Sequence, residues 1–269
     1  MNAEELLRAG RLAEALSALQ RQVRGSPADA KLRVFLFQLL CVVGDWNRAM
    51  TQLNVAGELD AGTLLMVQTY REALRCEAYR AEVFAGRHSP MVLGEPDPWM
   101  ALLIQSLALS AGGHHEQAAL LRGRALDEAP ATSGRLDGVA FEWLADADGR
   151  MGPCLELVTN GRYYWVPFHR IRDLRFEAPA DLRDFVWAPV QITWQNGGEA
   201  VALVPARYPG TEQSDDEALK LGRRTEWSVL PGDLYCGLGQ RLLATESGES
   251  ALLDVRHIEL GPAVPGTHG

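Results

Sequence analysis

The chain has 269 residues, 47% of them hydrophobic, and a net charge of −9. That length suits one large domain or two ordinary ones, each able to bury a core. The acidic balance argues against a nucleic-acid binder, which needs a basic face to displace counterions, and against an anionic membrane surface.

The opening Met1-Asn-Ala-Glu-Glu-Leu-Leu7 is acidic and lacks the apolar core of a signal peptide, so a cytoplasmic protein is expected. From there to residue 129 the apolar period is helical. Leu6, Leu7, Leu12, Ala15, Leu16, Leu19 and Val23 form one stripe. Ser26-Pro27 ends that helix and starts the next, which carries Leu32, Phe35, Leu36, Leu39, Leu40 and Val43 at spacings of three and four. Gly10-Arg-Leu-Ala-Glu-Ala15 returns as Gly44-Asp-Trp-Asn-Arg-Ala49, an offset of 34 (44−10 and 49−15). Thirty-four residues is the period of the tetratricopeptide repeat (TPR), a helix–turn–helix unit that stacks into a solenoid. The small residues have a steric reason. Glycine closes the turn between paired helices, and alanine lets the helices approach.

Residues 63–85 read as one long helix without a central glycine. The apolar stretch from Trp99 to Gly113 is shorter than the roughly 20 residues a membrane span needs. Gly113-His-His-Glu-Gln-Ala118 then repeats the signature, 69 residues after Ala49 (118−49). A short, irregular solenoid of six or seven helices is predicted over 1–130.

Pro130 to Gly138 has linker composition, placing a linker at 131–138. Val139-Ala-Phe-Glu-Trp-Leu-Ala145 reads as a short helix. Beyond it the grammar is that of strands. Cys154-Leu-Glu-Leu-Val-Thr159 alternates as a half-buried strand does, and Asn160-Gly161 is a hairpin turn leading into Arg162–Val166. A second hairpin joins Val190–Trp194 to Glu199–Val204 through Asn196-Gly-Gly198. A third joins Gln240–Thr245 to Ser250–Val255. The prediction is a two-part α+β chain: a TPR-like α-helical solenoid, then a small antiparallel β-rich domain over 139–260, a curled sheet or partial barrel. Residues 261–269, with Gly261-Pro262 and Pro265-Gly266, read as a flexible tail.

Motifs for chemistry are sparse. No phosphate-binding Gly-x-x-x-x-Gly-Lys, Gly-x-Ser-x-Gly elbow or His-Glu-x-x-His helix occurs. Gly237-Leu-Gly239 lacks the third glycine of a dinucleotide loop and reads as a strand bend. Asp146-Ala-Asp148 could share a hard cation, but the calcium-loop pattern fails at Met151 and Leu157, and a polar turn is the simpler reading. His114-His115 point different ways on a helix and make poor co-ligands. Cys41, Cys76, Cys154 and Cys236 form no Cys-x-x-Cys pair and read as reduced structural residues. No cofactor is expected. The β half is dense in aromatics and arginines, the residues that interfaces favour and that small cores also use.

Several ordered motifs carry a resemblance. They are Phe141-Glu-Trp-Leu-Ala-Asp-Ala-Asp-Gly-Arg150, Asn160-Gly-Arg-Tyr-Tyr-Trp-Val-Pro-Phe168, Asp181-Leu-Arg-Asp-Phe-Val-Trp187, Pro205-Ala-Arg-Tyr-Pro-Gly210, Arg224-Thr-Glu-Trp227 and Gly237-Leu-Gly-Gln-Arg241. With the helical N-terminus, they resemble the ImpE/TagJ (SciE-type) family of bacterial type VI secretion accessory proteins. The resemblance implies a cytoplasmic, non-enzymatic adaptor. Its implied partner is the N-terminal amphipathic helix of the small contractile-sheath subunit, TssB, with a link to sheath turnover by the AAA+ ATPase ClpV. The family offers no catalytic set to carry over. An amphipathic helix calls for an apolar groove. The expected surfaces are the solenoid's concave face (Leu32, Phe35, Leu36, Leu39) or the junction with the β half (Tyr164, Trp165, Trp187). Two other classes stay open: an oligomeric structural scaffold, and a metal-dependent enzyme using Asp146 and Asp148 with His169.

Overall fold

Three glycines set the pairing of the helices. Gly10, Gly44 and Gly113 have φ of 75°, 81° and 80° in the computed structural model, which describes residues 1–95 and 97–261. This left-handed backbone is open to glycine without a Cβ penalty. Gly10 separates α1 (Ala3–Arg8) from α2 (Leu12–Gly25), and Gly44 separates α3 (Ala30–Val43) from α4 (Trp46–Leu59). The unpaired α5 (Leu64–Phe84) is the long helix expected without a central glycine. Gly113 lies between α6 (Pro98–Ala111) and α7 (His115–Glu128). The repeat alanines Ala15, Ala49 and Ala118 are all but sealed, at 0%, 0% and 1% exposure. Among the described residues, seven helices therefore lie N-terminal to β2, in the TPR-like arrangement that the 34-residue offset predicts. Among the described residues, no helix is long and apolar enough to cross a membrane.

Among the described residues, fourteen strands follow the helices or interrupt them. In chain order they are β1 (Met91–Val92), β2 (Gly134–Leu136), β3 (Val139–Phe141), β4 (Ala145–Asp146), β5 (Cys154–Thr159), β6 (Arg162–Pro167) and β7 (Ile171–Phe176). Then come β8 (Trp187–Trp194), β9 (Glu199–Pro205), β10 (Thr225–Leu230), β11 (Leu234–Gly239), β12 (Leu242–Thr245), β13 (Gly248–Ala251) and β14 (His257–Leu260). Nine of them form one sheet in the order β1-β6-β5-β9-β8-β7-β14-β2-β3. All its pairs are antiparallel except β1 with β6. The sheet curls without closing.

Two expected hairpins form as read, β5–β6 and β8–β9. Asn160 and Gly161 both take positive φ, 50° and 70°, as a two-residue hairpin turn requires. Other expectations need correction. Residues 139–145 are not helical: they hold β3 and run into β4. The segment read as a linker contains β2, because β14 and β3 pair with it on either side. The third hairpin is tighter than expected, with β12 and β13 joined through Glu246-Ser247. A further hairpin forms between β10 and β11. Of the C-terminal segment read as a flexible tail, residues 262–269 lie outside the described residues.

Two cores explain the layering. One joins the helices to the outer face of the sheet, so that Leu40, Leu53 and Met100 share it with Cys154, Trp165, Trp187 and Leu203. The other fills the inside of the curl with Leu155, Leu157, Val190, Ile192, Val204, Leu252 and Ile258. β5 contributes to both and is buried along its whole length. Its alternation predicted one wet face. The polar position, Glu156, is instead turned onto the helices at 0% exposure.

Candidate functional site

The junction between helices and sheet is held by buried charge. Glu156 receives Arg80 Nε at 2.6 Å and Arg80 Nη2 at 3.0 Å from α5. It also accepts from Tyr163 Oη and from Arg241. Arg241 bridges onward to Asp146, and Arg80 reaches Glu77 at 3.4 Å. The Trp187 indole donates to Glu77 at 2.8 Å, and the Trp165 indole donates to Tyr163 Oη at 2.7 Å. Burial pushes the Glu156 carboxyl up, but Arg80 and Arg241 outweigh it and hold the group at about 2. For Asp146 burial wins over Arg241 and raises the carboxyl to about 6. Burial also raises Glu77.

A second set of contacts caps helix ends across the junction. Glu217 accepts the backbone N–H groups of Leu12 and Ala13, both at 2.8 Å, at the start of α2. Arg223 donates to the Leu7 carbonyl at 2.8 Å at the end of α1. Arg207 donates to the Val42 carbonyl at 2.8 Å at the end of α3. Each charge has the sign that the helix dipole favours, negative at an N-terminus and positive at a C-terminus.

These contacts place the expected anchor residues. Trp165 and Trp187 are 0% exposed, and Leu39 and Leu36 are 0% and 4% exposed. They are core residues and cannot receive a partner while the chain is folded. Tyr164 is half-buried and packs on the inner core of the curl. The junction proposed from Tyr164, Trp165 and Trp187 is therefore closed by the chain's own packing. Leu32 and Phe35 differ. Both are half-buried and line an open groove of about 520 Å³.

The groove is built from two walls. α3 supplies Leu32, Val34, Phe35 and Gln38, and its start is fixed by Asp29, whose carboxylate accepts from the Lys31 and Leu32 amides at 2.9 and 3.1 Å. The opposite wall is the segment Ala180–Leu182, which enters a single 3₁₀ turn at Leu182–Phe185. Asp184 locks it by accepting from the Ala180 and Asp181 amides, both at 2.8 Å. Arg183 lays its guanidinium over the Tyr70 ring, 4.7 Å from the centroid, and fastens the turn to α5. Glu4, Lys31, Asp60 and Asp181 rim the groove, three acids to one base. Leu182 lines the groove as well. Its only sequence signal is an apolar position inside Asp181-Leu-Arg-Asp, which reads as a capped turn.

The acidic pair does not make a metal centre. Asp146 Oδ1 accepts the Asp148 amide at 2.8 Å, and its other oxygen takes Arg241. Asp148 Oδ1 takes Arg150 Nε at 2.8 Å, and Oδ2 takes the Gly237 amide at 2.9 Å. Both residues are sealed, at 4% and 0% exposure, so a cation would first have to displace buried guanidinium groups. His169 faces Asp97 at 3.4 Å instead. Gly237 and Gly239 lie in β11, as the strand reading required; a Cβ at Gly237 would fall 2.2 Å from the Tyr208 ring.

The ImpE protein family model matches residues 138–259, and a tetratricopeptide-repeat model matches residues 6–68. The chain is 56% identical over 264 residues to the type VI secretion system accessory component TagJ of Pseudomonas aeruginosa, covering 97% of this chain and 92% of that protein. Its fold is similar to the crystal structure of protein VPA1032 from Vibrio parahaemolyticus. The TM-score is 0.87 at 26% identity, over 96% of this chain and 97% of the other.

Proposed function

The chain belongs to the ImpE/TagJ family of type VI secretion accessory components, and on that premise we propose that it is a non-enzymatic, cytoplasmic adaptor. Its α3 groove seats the N-terminal amphipathic helix of the small sheath subunit, TssB, and so couples that subunit to ClpV-dependent sheath turnover. The observation that carries this reading is the groove itself. It is open, lined by half-buried apolar side chains on a fixed backbone, and lies between α3 and the turn at Leu182. A helix with an apolar stripe fits such a surface, and its i, i+3, i+4 side chains would meet Leu32, Phe35 and Leu182. The acidic rim favours basic residues beside that stripe.

Titration calorimetry with a peptide of the sheath subunit's N-terminal helix tests this directly. The expected Kd is on the order of 1 μM, about −8 kcal/mol. Leu32→Asp and Leu182→Asp should each weaken it tenfold or more while the circular dichroism spectrum is unchanged. Amide exchange should slow at residues 30–38 and 180–184. Equal binding by both variants, or protection confined to another surface, sinks the assignment of the groove.

A further inference from the structure

Away from the groove, the solvent face of the curled sheet carries a compact set of metal-ligand chemistry. Asp173 on β7 and His257 and Glu259 on β14 each bring one ligand atom within 4.8 Å of the other two. Strand alternation gathers them. Ile258 and Leu260 point into the curl, so His257 and Glu259 point out. The register then sets Glu259 directly opposite Asp173. Two carboxylates facing each other across a strand pair repel. His257 Nε2 lies 2.6 Å from Asp173 Oδ2, and among the described residues the Glu259 carboxylate has no hydrogen-bond or ion-pair partner. The strand bearing the imidazole is pinned from behind: the Asp137 carboxylate accepts the His257 amide at 2.7 Å, and the Asp137 amide donates to the His257 carbonyl at 2.8 Å.

We propose that Asp173, His257 and Glu259 form a site for a divalent first-row transition cation, with Zn²⁺ as its best occupant. The imidazole separates this cluster from an ordinary acidic patch. One nitrogen and two carboxylate oxygens are a zinc-type donor set, whereas Mg²⁺ and Ca²⁺ take oxygen ligands. Three protein ligands leave a position for water. Metal–ligand bonds of about 2.0–2.1 Å place neighbouring tetrahedral ligands about 3.3 Å apart. The His257–Asp173 contact must therefore open slightly, and the cation replaces the hydrogen bond it breaks. Arg175 is the competitor: its Nε sits 2.9 Å from Asp173 Oδ1, but its side chain is 64% exposed and free to swing away. Arg135, opposite Glu259 on β2, is the other basic neighbour. An ion here cross-links β14 to β7.

The test uses the full chain, stripped with a chelator and titrated with ZnCl2 by calorimetry, with MgCl2 as the comparison. One Zn²⁺ per chain is expected, with a rise in Tm and no comparable response to Mg²⁺. His257→Gln, and Glu259→Gln at its exposed position, should each weaken binding at least tenfold while leaving the metal-free Tm near the wild-type value. Arg175→Ala should tighten binding by removing the competitor. Absence of stoichiometric Zn²⁺ binding overturns the proposal. So does binding that is undiminished in both ligand variants, because the ion would then sit elsewhere, for example at His169 and Asp97.

Discussion

Glu156→Gln removes the charge that ties α5 to the sheet, and its cost can be worked from the structure. The residue is 0% exposed and is shared by Arg80, Arg241 and Tyr163. Its carboxyl sits at about 2 against an ordinary 4.5, a preference for the charged form of about 3 kcal/mol. Removing one partner from a buried ion pair costs about 3–5 kcal/mol by general experience. The low end fits here, because Arg80 keeps Glu77 and Arg241 keeps Asp146. A loss of about 3 kcal/mol is a large part of the roughly 5–15 kcal/mol that holds a domain folded.

Urea unfolding at pH 7 should therefore show a lower midpoint for the variant with an unchanged slope. The pH dependence adds a sign test. Glu156 is depressed in the folded chain, so its contribution is complete above pH 4.5 and is lost as pH falls toward 2. Asp146 runs the other way. Raised from 3.8 to about 6, it disfavours the folded chain above pH 6, and that penalty is relieved as pH falls from 6 to 3.8. The wild-type midpoint should rise slightly between pH 7 and 5 and then fall below 4.5. The variant should lack most of the acid limb, so the two curves converge near pH 2–3. A variant within about 0.5 kcal/mol of wild type at pH 7, the range of an ordinary surface substitution, would refute the reasoning.

Three further outcomes are expected. Glu217→Ala should destabilise by about 1 kcal/mol through loss of the α2 cap, with faster amide exchange at Leu12 and Ala13, the two donors it leaves unpaired. Gly237→Ala should cost about 1–3 kcal/mol by overpacking, because Tyr208 is 1% exposed and is anchored through its hydroxyl to the Leu242 backbone; denaturant titration checks it. The four cysteines are buried, and burial pushes every thiol up, Cys76 to about 11. A disulfide reagent at pH 8 should label them only after denaturant is added.

Local features were legible because their causes are local. The glycines at 10, 44 and 113 must take left-handed backbone, and Asn160-Gly161 must turn a hairpin. The same rules located the long helix α5. What sequence could not show is what lies across the junction. Glu156 in an alternating strand reads as a wet residue until Arg80 and Arg241, 76 and 85 residues away, arrive beside it. Trp165 and Trp187 are of the residue type that interface anchors favour, and cores use tryptophan too. β2 and β3 are too short to announce themselves: β2 exists because β14 offers a neighbour, and β3 because β2 does. Within the groove, Leu32 and Phe35 were visible as a helical stripe. Their exposure was set by which side of α3 the sheet half happens to cover, and that is a property of the assembled chain.

The caps across the junction bear on how such a groove can bind. One wall belongs to α3 and the other to the turn at Leu182, 150 residues later (182−32). Separately, each wall would drift. Arg207 holds the end of α3, Glu217 and Arg223 hold α2 and α1, and Arg183 clamps the turn to α5. These ties join both walls to one shared core. A partner helix would then meet a groove whose backbone is already ordered, and the ordering cost of association would fall mainly on the incoming segment. That asymmetry favours recognition of a flexible terminus over a rigid surface, because a free terminus can adopt the shape that a fixed groove demands.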